Sequence, residues 1–462
     1  MKILLTHAYY IHSDKSEMKI MKPYPPLGIL FISSYLKSFG YDVTLYDSTF
    51  KNFEDQKKFI TVLRPDVIGI YCNLMTKLNV IPLIKFIKSD DVLRNTKIVL
   101  GGPEPPHHAG NFLNSGADFV VEGEGEETMK ELCESISLNL TNIETVNGIM
   151  YKGINGKTIK TPPREKIKNI DVLPMPDRDG IDLTLYLETW KNKHGYNSVS
   201  INTMRGCPYT CKWCSHNVYG STYKRRSPGK VAEELKLIVD KYNPDYFWFT
   251  DDVFTISHKW LFELEDILKK TGLKIKFECI SRSDRLNAKV FESLKNLGCF
   301  RIWIGAESGS QKVLDLMDRR VNANQVREMI IMSKEYGIET GTFIMLGYPG
   351  EEKKDIEETI RHLKDSNPDI FLTTVAYPIK GTTLYNEIES GIVINGNWEE
   401  MTDRDLKIPN RYSDRFFRYA NRYLVNEVNY YKQRLSGNAS FKKMSKTFLK
   451  AKVSKIIFKF VN

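Results

Sequence analysis

The sequence of 462 residues lacks any apolar run long enough to cross a bilayer. Its first residues, Met1 to Leu5, turn polar within a few positions, so the apolar stretch and cleavage site of a signal peptide are also missing. The hydrophobic and charged fractions, 41% and 27%, are typical of a soluble protein, and the length allows two to three domains. We therefore expect a cytoplasmic protein.

Cysteines are few, seven in all, and three of them fall within eight positions. A disulfide scaffold would need more cysteines in a much shorter secreted chain. Four cysteines stand in apolar surroundings that are typical of core positions: Cys72, Cys133, Cys279 and Cys299. The other three, Cys207, Cys211 and Cys214, are close enough in sequence to converge on one metal centre.

The first part of the chain, residues 1–138, alternates short apolar runs with helical patterns. Because each pair of runs is separated by a helix, the pattern predicts a parallel sheet with right-handed crossovers, of the flavodoxin-like type. Residues 139–194 contain a hairpin pattern and a proline-rich stretch, and we interpret them as a linker. The five runs are Ile3–Ala8, Asp42–Tyr46, Val67–Tyr71, Ile98–Leu100 and Phe119–Val121.

A second alternating series occupies residues 195–390 and contains six strand and helix units. Six such units in a row predict a partial (β/α)6 barrel of the TIM type, in which the chemistry belongs to the loops after the strands. The three crowded cysteines follow the first of these strands directly. Residues 391–462 have a looser, helical and basic pattern.

The segment from Met204 to Cys214 places three thiolates in one short loop. Three thiolates leave the fourth iron of a [4Fe–4S] cluster without a protein ligand, and that iron can bind the amino and carboxylate groups of S-adenosylmethionine. A zinc site is the alternative. It is disfavoured because structural zinc usually takes four protein ligands, and here only His216 lies nearby.

The C-x3-C-x2-C spacing, with the aromatic Trp213 before the last cysteine, resembles the signature of the radical S-adenosylmethionine superfamily. The first half of the chain resembles the cobalamin-binding domain of one large branch, which includes cobalamin-dependent radical methylases and the anaerobic magnesium-protoporphyrin ester cyclase. This resemblance implies an anaerobic enzyme that uses a [4Fe–4S] cluster, S-adenosylmethionine and cobalamin.

The resemblance also implies site residues at the ends of the barrel strands. Tyr209 and Trp213 would shield the cluster from water, and an arginine after the third strand could pair with the methionine carboxylate. The remaining positions would contact the methionine, ribose or adenine parts of the cofactor. The positions implied after the later strands are Asp251, Asp252, Ser281, Arg282, Glu307 and Gly347.

Glycines follow two strands of the first domain, where the resemblance places the corrinoid. Gly101, Gly102 and Gly123 would allow close approach of a bulky ligand, and Glu122 stands beside the last of them. The Asp-x-His-x-x-Gly signature of classical cobalamin enzymes is absent, so the sequence offers no axial ligand for cobalt. We expect His107 and His108 to be exposed loop residues.

The function implied is methylation of an unactivated carbon on a small molecule or lipid, with a one-electron donor such as flavodoxin or ferredoxin. Two alternatives stay open. One is a radical oxidation or cyclisation, with or without a corrinoid; the other is a non-catalytic cluster or corrinoid carrier or sensor. The substrate is not readable from the sequence.

Acidic residues are absent from the last 22 positions, which hold seven lysines of the +10 net charge. A charge excess this local argues against general nucleic-acid binding. An amphipathic helix with one apolar face would contact the inner membrane face peripherally; the alternative is a helix that packs on the barrel and exposes its lysines. The expected apolar face is Met444, Phe448, Ala451, Ile456, Ile457, Phe460 and Val461.

Overall fold

A computed structural model describes residues 1–215, 218–394, 396–437 and 439–461. His216, the candidate fourth zinc ligand, lies outside the described residues. Two large sheets dominate the architecture, one of seven strands and one of six.

The first sheet has the strand order β2-β1-β3-β4-β5-β6-β7, and its first five strands are parallel. The order 2-1-3-4-5 is that of flavodoxin-like folds, so the predicted fold class is confirmed. The strands are β1 (Lys2–His7), β2 (Asp42–Tyr46), β3 (Val67–Tyr71), β4 (Lys97–Gly101), β5 (Phe119–Val121), β6 (Ile149–Lys152) and β7 (Thr158–Lys160).

Helices cover both faces of this sheet, since alternate residues of β1 enter different apolar clusters. Leu4 packs into one cluster, and Ile3 and Leu5 pack into the other. The helices are α1 (Lys15–Ile20), α2 (Leu27–Ser38), α3 (Phe53–Leu63), α4 (Lys77–Ser89), α5 (Ala109–Asn114), α6 (Glu126–Ser137) and, after the sheet, α7 (Leu183–His194).

The hairpin of β6 and β7 corrects one expectation about the stretch 139–194. We expected it to belong to a linker, but β6 pairs antiparallel with β5 through Val120 and Met150. The hairpin therefore extends the first sheet, because β5 would otherwise leave an unpaired edge. The division of the rest of the chain into domains remains our proposal.

The second sheet is parallel throughout and has the order β15-β14-β13-β12-β11-β8. A two-stranded antiparallel ribbon, β9 with β10, stands beside it. The strands are β8 (Ser198–Ile201), β9 (Met204–Arg205), β10 (Lys224–Arg225), β11 (Tyr246–Phe249), β12 (Phe277–Ser281), β13 (Cys299–Glu307), β14 (Glu339–Leu346) and β15 (Ile370–Val375).

Helices that follow these strands start and stop where the sequence supplies capping residues. The side chains of Ser257 and Asn287 accept hydrogen bonds at the starts of their helices, and Gly272 and Gly298 end the same helices in the left-handed conformation. The helices are α8 (Pro228–Tyr242), α9 (His258–Thr271), α10 (Ala288–Leu297), α11 (Gln311–Leu316), α12 (Ala323–Glu335) and α13 (Lys353–Ser366).

The C-terminal region contains α14 (Thr383–Ile388), α15 (Asp414–Ser436) and α16 (Phe441–Phe460). The long helices α15 and α16 pack against each other, and apolar residues of α15 complete the barrel core. Within the described residues, no helix is both long enough and apolar enough to span a membrane.

Candidate functional site

The cysteine loop begins at a ribbon that is held by a buried carboxylate. Oδ1 of Asp251, at the end of β11, accepts the backbone N–H groups of Thr203 (2.7 Å) and Met204 (3.0 Å). Arg225 of β10 donates to its other oxygen at 3.1 Å. Asp251 is completely buried, so it positions the base of the loop and does not face the cofactor space as the resemblance implied.

Gly206 lets the two strands of the ribbon approach closely. Its φ is +82°, and a Cβ there would lie 2.1 Å from the carbonyl oxygen of Thr222. No side chain fits at this position, and the loop therefore turns sharply just before Cys207.

The three cysteines are graded in exposure: Cys207 is buried, Cys211 is half-buried and Cys214 is exposed. Burial raises the pKa of the Cys207 thiol to about 11. Burial also raises the pKa of Cys211, and the charge of Arg282 partly offsets that effect. Three thiols in one loop, with a cation beside one of them, fit the donor set of a cluster with one open iron.

Arg282 lies beside the cysteine loop and has several side-chain partners. Its guanidinium lies 3.7 Å from Sγ of Cys211 and donates to Asp284 at 2.8 Å. The ring of Tyr209 stacks on it, with 3.6 Å between the guanidinium carbon and the ring centroid. The arginine therefore has a fixed orientation beside the cysteine loop.

Glu307 occupies a strained position at the end of β13. The pairing of β13 with β14 shifts by one residue between Gly305 and Glu307, and Glu307 has a φ of +60°. Such a bulge with a left-handed non-glycine residue costs about 1–3 kcal/mol and is typical of functional sites. Burial raises the pKa of its carboxyl to about 7, an effect that Arg282 opposes.

Arg319 is a residue that the sequence reasoning missed. Its Nε lies 3.9 Å from Oε1 of Glu307, and its Nη1 lies 4.0 Å from Sγ of Cys211. It follows α11 in the chain, so no strand-end pattern pointed to it. A second guanidinium thus stands between the cysteine loop and the strained glutamate.

Three other predicted residues of the barrel, Asp252, Ser281 and Trp213, lie in three different environments. Asp252 is exposed, and its charge raises the pKa of Cys207, so it faces the cysteine loop. Ser281 is buried and bonds Thr255 at 2.5 Å, away from open space. Trp213 packs against an apolar cluster that includes Met317.

Gly347 lies in a tight turn after β14, with a φ of +80°. Its N–H donates to the buried carboxyl of Glu351 at 2.5 Å, and its carbonyl accepts Arg411 at 3.3 Å. The turn is therefore held from two sides, by Glu351 of its own loop and by Arg411, just before α15.

A cavity of about 440 Å³ lies between the carboxyl ends of the two sheets. Gly101, Gly102 and Gly123 line it from the first sheet, as the resemblance implied. Gly28 of α2 also lines it, and a Cβ on Gly28 or Gly101 would meet no protein atom within 4 Å. Side chains at these positions would fill the cavity, so the glycines leave room that suits a bulky planar ligand such as a corrin ring.

Glu122 is not among the residues that line this cavity. Its carboxylate pairs with Lys160 of β7 at 2.8 Å instead. Its neighbour Glu124 does line the cavity and would have been the better prediction.

Arg205 joins the two sheets at the cavity. It stands two residues before Cys207, and its Nη1 donates to Glu124 at 3.0 Å while its Nη2 donates to Glu126 at the start of α6. All three side chains are buried. The strand that leads into the cysteine loop is thereby tied to the loop that lines the cavity.

His108 is buried, contrary to the expectation of an exposed loop. Trp398 Nε1 donates to its Nδ1 at 3.0 Å, so the proton of a neutral ring is on Nε2. That nitrogen lies 3.6 Å from Glu104 and 3.8 Å from Asp403. Glu104, His108 and Asp403 therefore join the C-terminal region to the first sheet.

Two protein-family models match separate parts of the chain. The model of the B12 binding domain matches residues 19–133, and that of the radical SAM superfamily matches residues 201–363. An uncharacterised methyltransferase of Pyrococcus horikoshii is 30% identical over 388 residues, covering 82% of each chain. The chain belongs to the cobalamin-binding branch of the radical SAM superfamily.

Other relatives have different recorded activities. The anaerobic magnesium-protoporphyrin IX monomethyl ester cyclase of Rubrivivax gelatinosus is 28% identical over 84% of this chain and 70% of its own length. The hopanoid C-3 methylase of Methylococcus capsulatus is 27% identical over 83% of this chain and 71% of its own length.

Solved structures share the fold at low sequence identity. The cobalamin-dependent radical enzyme OxsB, with aqua-cobalamin bound, superposes with a TM-score of 0.76 at 17% identity, over 99% of this chain and 72% of that one. The methyltransferase TsrM of Kitasatospora setae, with cobalamin and a [4Fe–4S] cluster bound, has a TM-score of 0.70 at 16% identity, over 84% of this chain and 75% of that one.

The protein is therefore a radical SAM enzyme of the cobalamin-dependent methyltransferase family, and its cofactors are a [4Fe–4S] cluster, S-adenosylmethionine and cobalamin. The predicted family, enzyme class and cofactors are confirmed. The individual site residues remain proposals.

Proposed function

We propose that this enzyme methylates an unactivated carbon of a small molecule or lipid, with the corrinoid in the cavity between the two sheets. The observation that carries the proposal is the position of that cavity. Its lining includes Arg205, two residues before Cys207, together with the glycine-rich loops of the first sheet. A methyl donor there would lie next to the cluster, which methyl transfer between bound groups requires.

When bound, the cluster and S-adenosylmethionine supply a 5′-deoxyadenosyl radical, and cobalamin supplies a methyl group. Cys207, Cys211 and Cys214 would hold the cluster. Arg282 and Arg319 offer donors for a carboxylate beside the cluster, since each lies within 4.0 Å of Sγ of Cys211.

Glu307 and the turn at Gly347 would complete the binding of S-adenosylmethionine. The pKa of about 7 makes the Glu307 carboxyl neutral in part of the population near neutral pH, so it can donate as well as accept a hydrogen bond. The ring of Tyr209 covers Arg282 and shields the loop from water. Asp252, an exposed acid whose charge acts on Cys207, is suited to a polar contact at the rim.

The test is anaerobic purification with iron, sulfide and hydroxocobalamin, followed by turnover with methyl-deuterated S-adenosylmethionine and a cell extract of metabolites and lipids. Reduced flavodoxin or ferredoxin serves as the electron donor. Each methyl transfer consumes two molecules of S-adenosylmethionine: one yields 5′-deoxyadenosine and methionine, and the other yields S-adenosylhomocysteine. We expect the two nucleoside products in equal amounts, with deuterated methyl groups on one compound.

A control without extract measures uncoupled cleavage and is subtracted. Formation of 5′-deoxyadenosine without S-adenosylhomocysteine would show that the reaction is an oxidation or cyclisation, the activity type of the cyclase relative, and not a methylation. Absence of any 5′-deoxyadenosine from a protein that holds its cluster would favour the carrier or sensor interpretation and overturn the proposal.

A further inference from the structure

The last helix, α16, has two apolar faces rather than the single face that the sequence predicted. Ala451 and Phe458 are buried against α15, where Phe458 packs on Phe416 and Tyr423 with ring centroids 5.2 and 5.5 Å apart. Ile456 and Phe460, expected on the same face as Ala451, point away from the protein instead. One face anchors the helix, and the other is exposed.

The exposed face is a continuous stripe of large apolar side chains. Leu449, Val453, Ile456 and Phe460 are 64%, 47%, 58% and 84% exposed. Their spacing of four, three and four residues places them on one side of the helix, about half a turn from Phe458. We call these four residues the apolar stripe.

Lysines flank the apolar stripe on both sides. At about 100° per residue, Lys446 and Lys450 fall along one border and Lys452 and Lys459 along the other. All four are exposed, and the sequence has no acidic residue after Phe441. An apolar strip between two rows of cations is complementary to a surface with an apolar interior and an anionic outer layer.

We propose that α16 docks the enzyme onto an anionic phospholipid bilayer, with the apolar stripe entering the interface and the flanking lysines contacting headgroup phosphates. A second copy of the chain is disfavoured as the partner of this surface, because the seven lysines of one copy would repel the seven lysines of the other. Nucleic acid is disfavoured because a phosphate backbone offers nothing to Leu449, Val453 and Ile456.

The docking surface runs toward the catalytic edge of the barrel. Phe458 packs on Phe416 at the start of α15, so the Phe460 end of the stripe lies beside that start. Just before α15, Arg411 donates to the carbonyl oxygens of Gly347 and Ala376, which follow β14 and β15. Docking at this edge therefore favours a lipid, and not a water-soluble small molecule, as the substrate in the function proposed above.

The experiment is co-sedimentation of the full-length holoenzyme with vesicles. One set is phosphatidylcholine alone, and the other is an equal mixture of phosphatidylcholine and phosphatidylglycerol. We expect binding to the anionic set, weakened by salt because the lysine contribution is screened. The variant I456S/F460S should reduce the partition coefficient at least about tenfold.

The lysine variant K446Q/K450Q/K452Q/K459Q should also lose binding, since each lysine near an anionic surface contributes about fivefold in affinity. The matched control is Leu237→Ser on α8, which is 57% exposed and distant in sequence, and it should bind as the native protein does. Circular dichroism and cluster content verify that each variant is folded.

Three results would overturn the proposal. These are equal binding by I456S/F460S, binding to tRNA that competes with the vesicles, or a dimer that the same variant dissociates. Docking is measured without turnover, so its failure leaves the proposed methylation untouched, and failure of methylation leaves docking testable.

Discussion

The two sheet edges that face each other across the cavity are made from different kinds of residue. The barrel edge is crowded with charge: Arg282, Glu307 and Arg319 lie around Cys211, and a strained bulge orients the glutamate. The edge of the first sheet has glycines and apolar side chains around an open space.

The difference suits the group that we propose for each edge. A cluster and an amino-acid carboxylate are small, charged groups, and fixed donors at short distance recognise them. A corrin ring is broad and largely apolar, and an edge that leaves side chains out would accommodate it. Arg205 is the residue that connects the two kinds of surface.

The largest effect should come from Cys211→Ser, which removes one of the three proposed ligands of the cluster. We expect 5′-deoxyadenosine formation to fall to background while hydroxocobalamin binding persists, because the cavity belongs to the other edge. Iron and sulfide content, visible spectra and product assays measure both. Cys133→Ala, in the core of the first sheet, is the control. Loss of corrinoid in Cys211→Ser would show that the two edges do not bind their cofactors independently.

The next effect is on stability. Arg205→Met leaves the buried carboxylates of Glu124 and Glu126 without their cation, and breaking such a pair costs about 3–5 kcal/mol. Urea unfolding of the apoprotein measures it, and cluster and corrinoid contents should fall together. Lys191→Met, which breaks a surface pair with Asp245, should have little effect. A similar result for both variants would show that the two edges are not coupled through Arg205.

A pH dependence should distinguish the barrel edge. Burial raises the pKa of Glu351 from its ordinary value of 4.5 to about 8, so the folded protein retains a proton that the unfolded chain releases. Glu351 alone should therefore lower stability by about 1.4 kcal/mol per pH unit between about pH 5 and 7.5, and Glu351→Gln should remove that contribution from the measured slope. Urea unfolding across this range measures it. The exposed Glu54→Gln should retain the native slope, and an unchanged slope in Glu351→Gln would contradict the assignment.

Gly28→Leu tests the other edge, because it places a side chain in the cavity and should affect the corrinoid where Cys211→Ser affects the cluster. Overpacking should weaken hydroxocobalamin binding by about 1–3 kcal/mol, or roughly 5- to 150-fold, and leave the cluster intact. Equilibrium dialysis and iron content are the measurements. Gly229→Leu is matched, because Gly229 is likewise the second residue of a helix with open space at its Cβ position. Equal corrinoid binding by both variants would place the corrinoid elsewhere.

The smallest effect concerns Tyr209→Phe. The ring would still stack on Arg282, while the hydrogen bonds with Asp284 and Arg285 are lost, so stability should change by only about 1 kcal/mol. Cluster content should remain normal. Tyr209→Leu removes the ring as well, and a larger loss of cluster in that variant would show that stacking orients Arg282. Equal effects of the two variants would show that the hydroxyl of Tyr209, and not its ring, orients Arg282.

The fold was predictable because both sheets have strong local signals. The apolar runs of the first domain and the six strand and helix units of the barrel coincide with β1–β5 and with the six strands of the second sheet. The β6–β7 hairpin was recognised as a hairpin but assigned to a linker, since nothing in its sequence says which strand it will pair with.

The site was predictable only in part. Spacing pointed to the cysteines, and the order of strand ends to Arg282 and Glu307, and the structure brings these residues together around Cys211. Arg205 and Arg319 were missed, because an arginine in a sequence is usually a surface residue and only its folded neighbours reveal otherwise. Asp251 was assigned to the cofactor, although its oxygens are taken by the loop base and Arg225.

By itself, the sequence determined the succession of elements, the three candidate cluster ligands and the family, because periodicity, capping and ligand spacing are local properties of the chain. The tertiary structure alone decided which side chains meet across the cavity and which face of α16 is buried. Those outcomes depend on contacts between residues far apart in the chain, such as Arg205 with Glu124 or Phe458 with Phe416. Such contacts become strong only when folding removes the water between the partners.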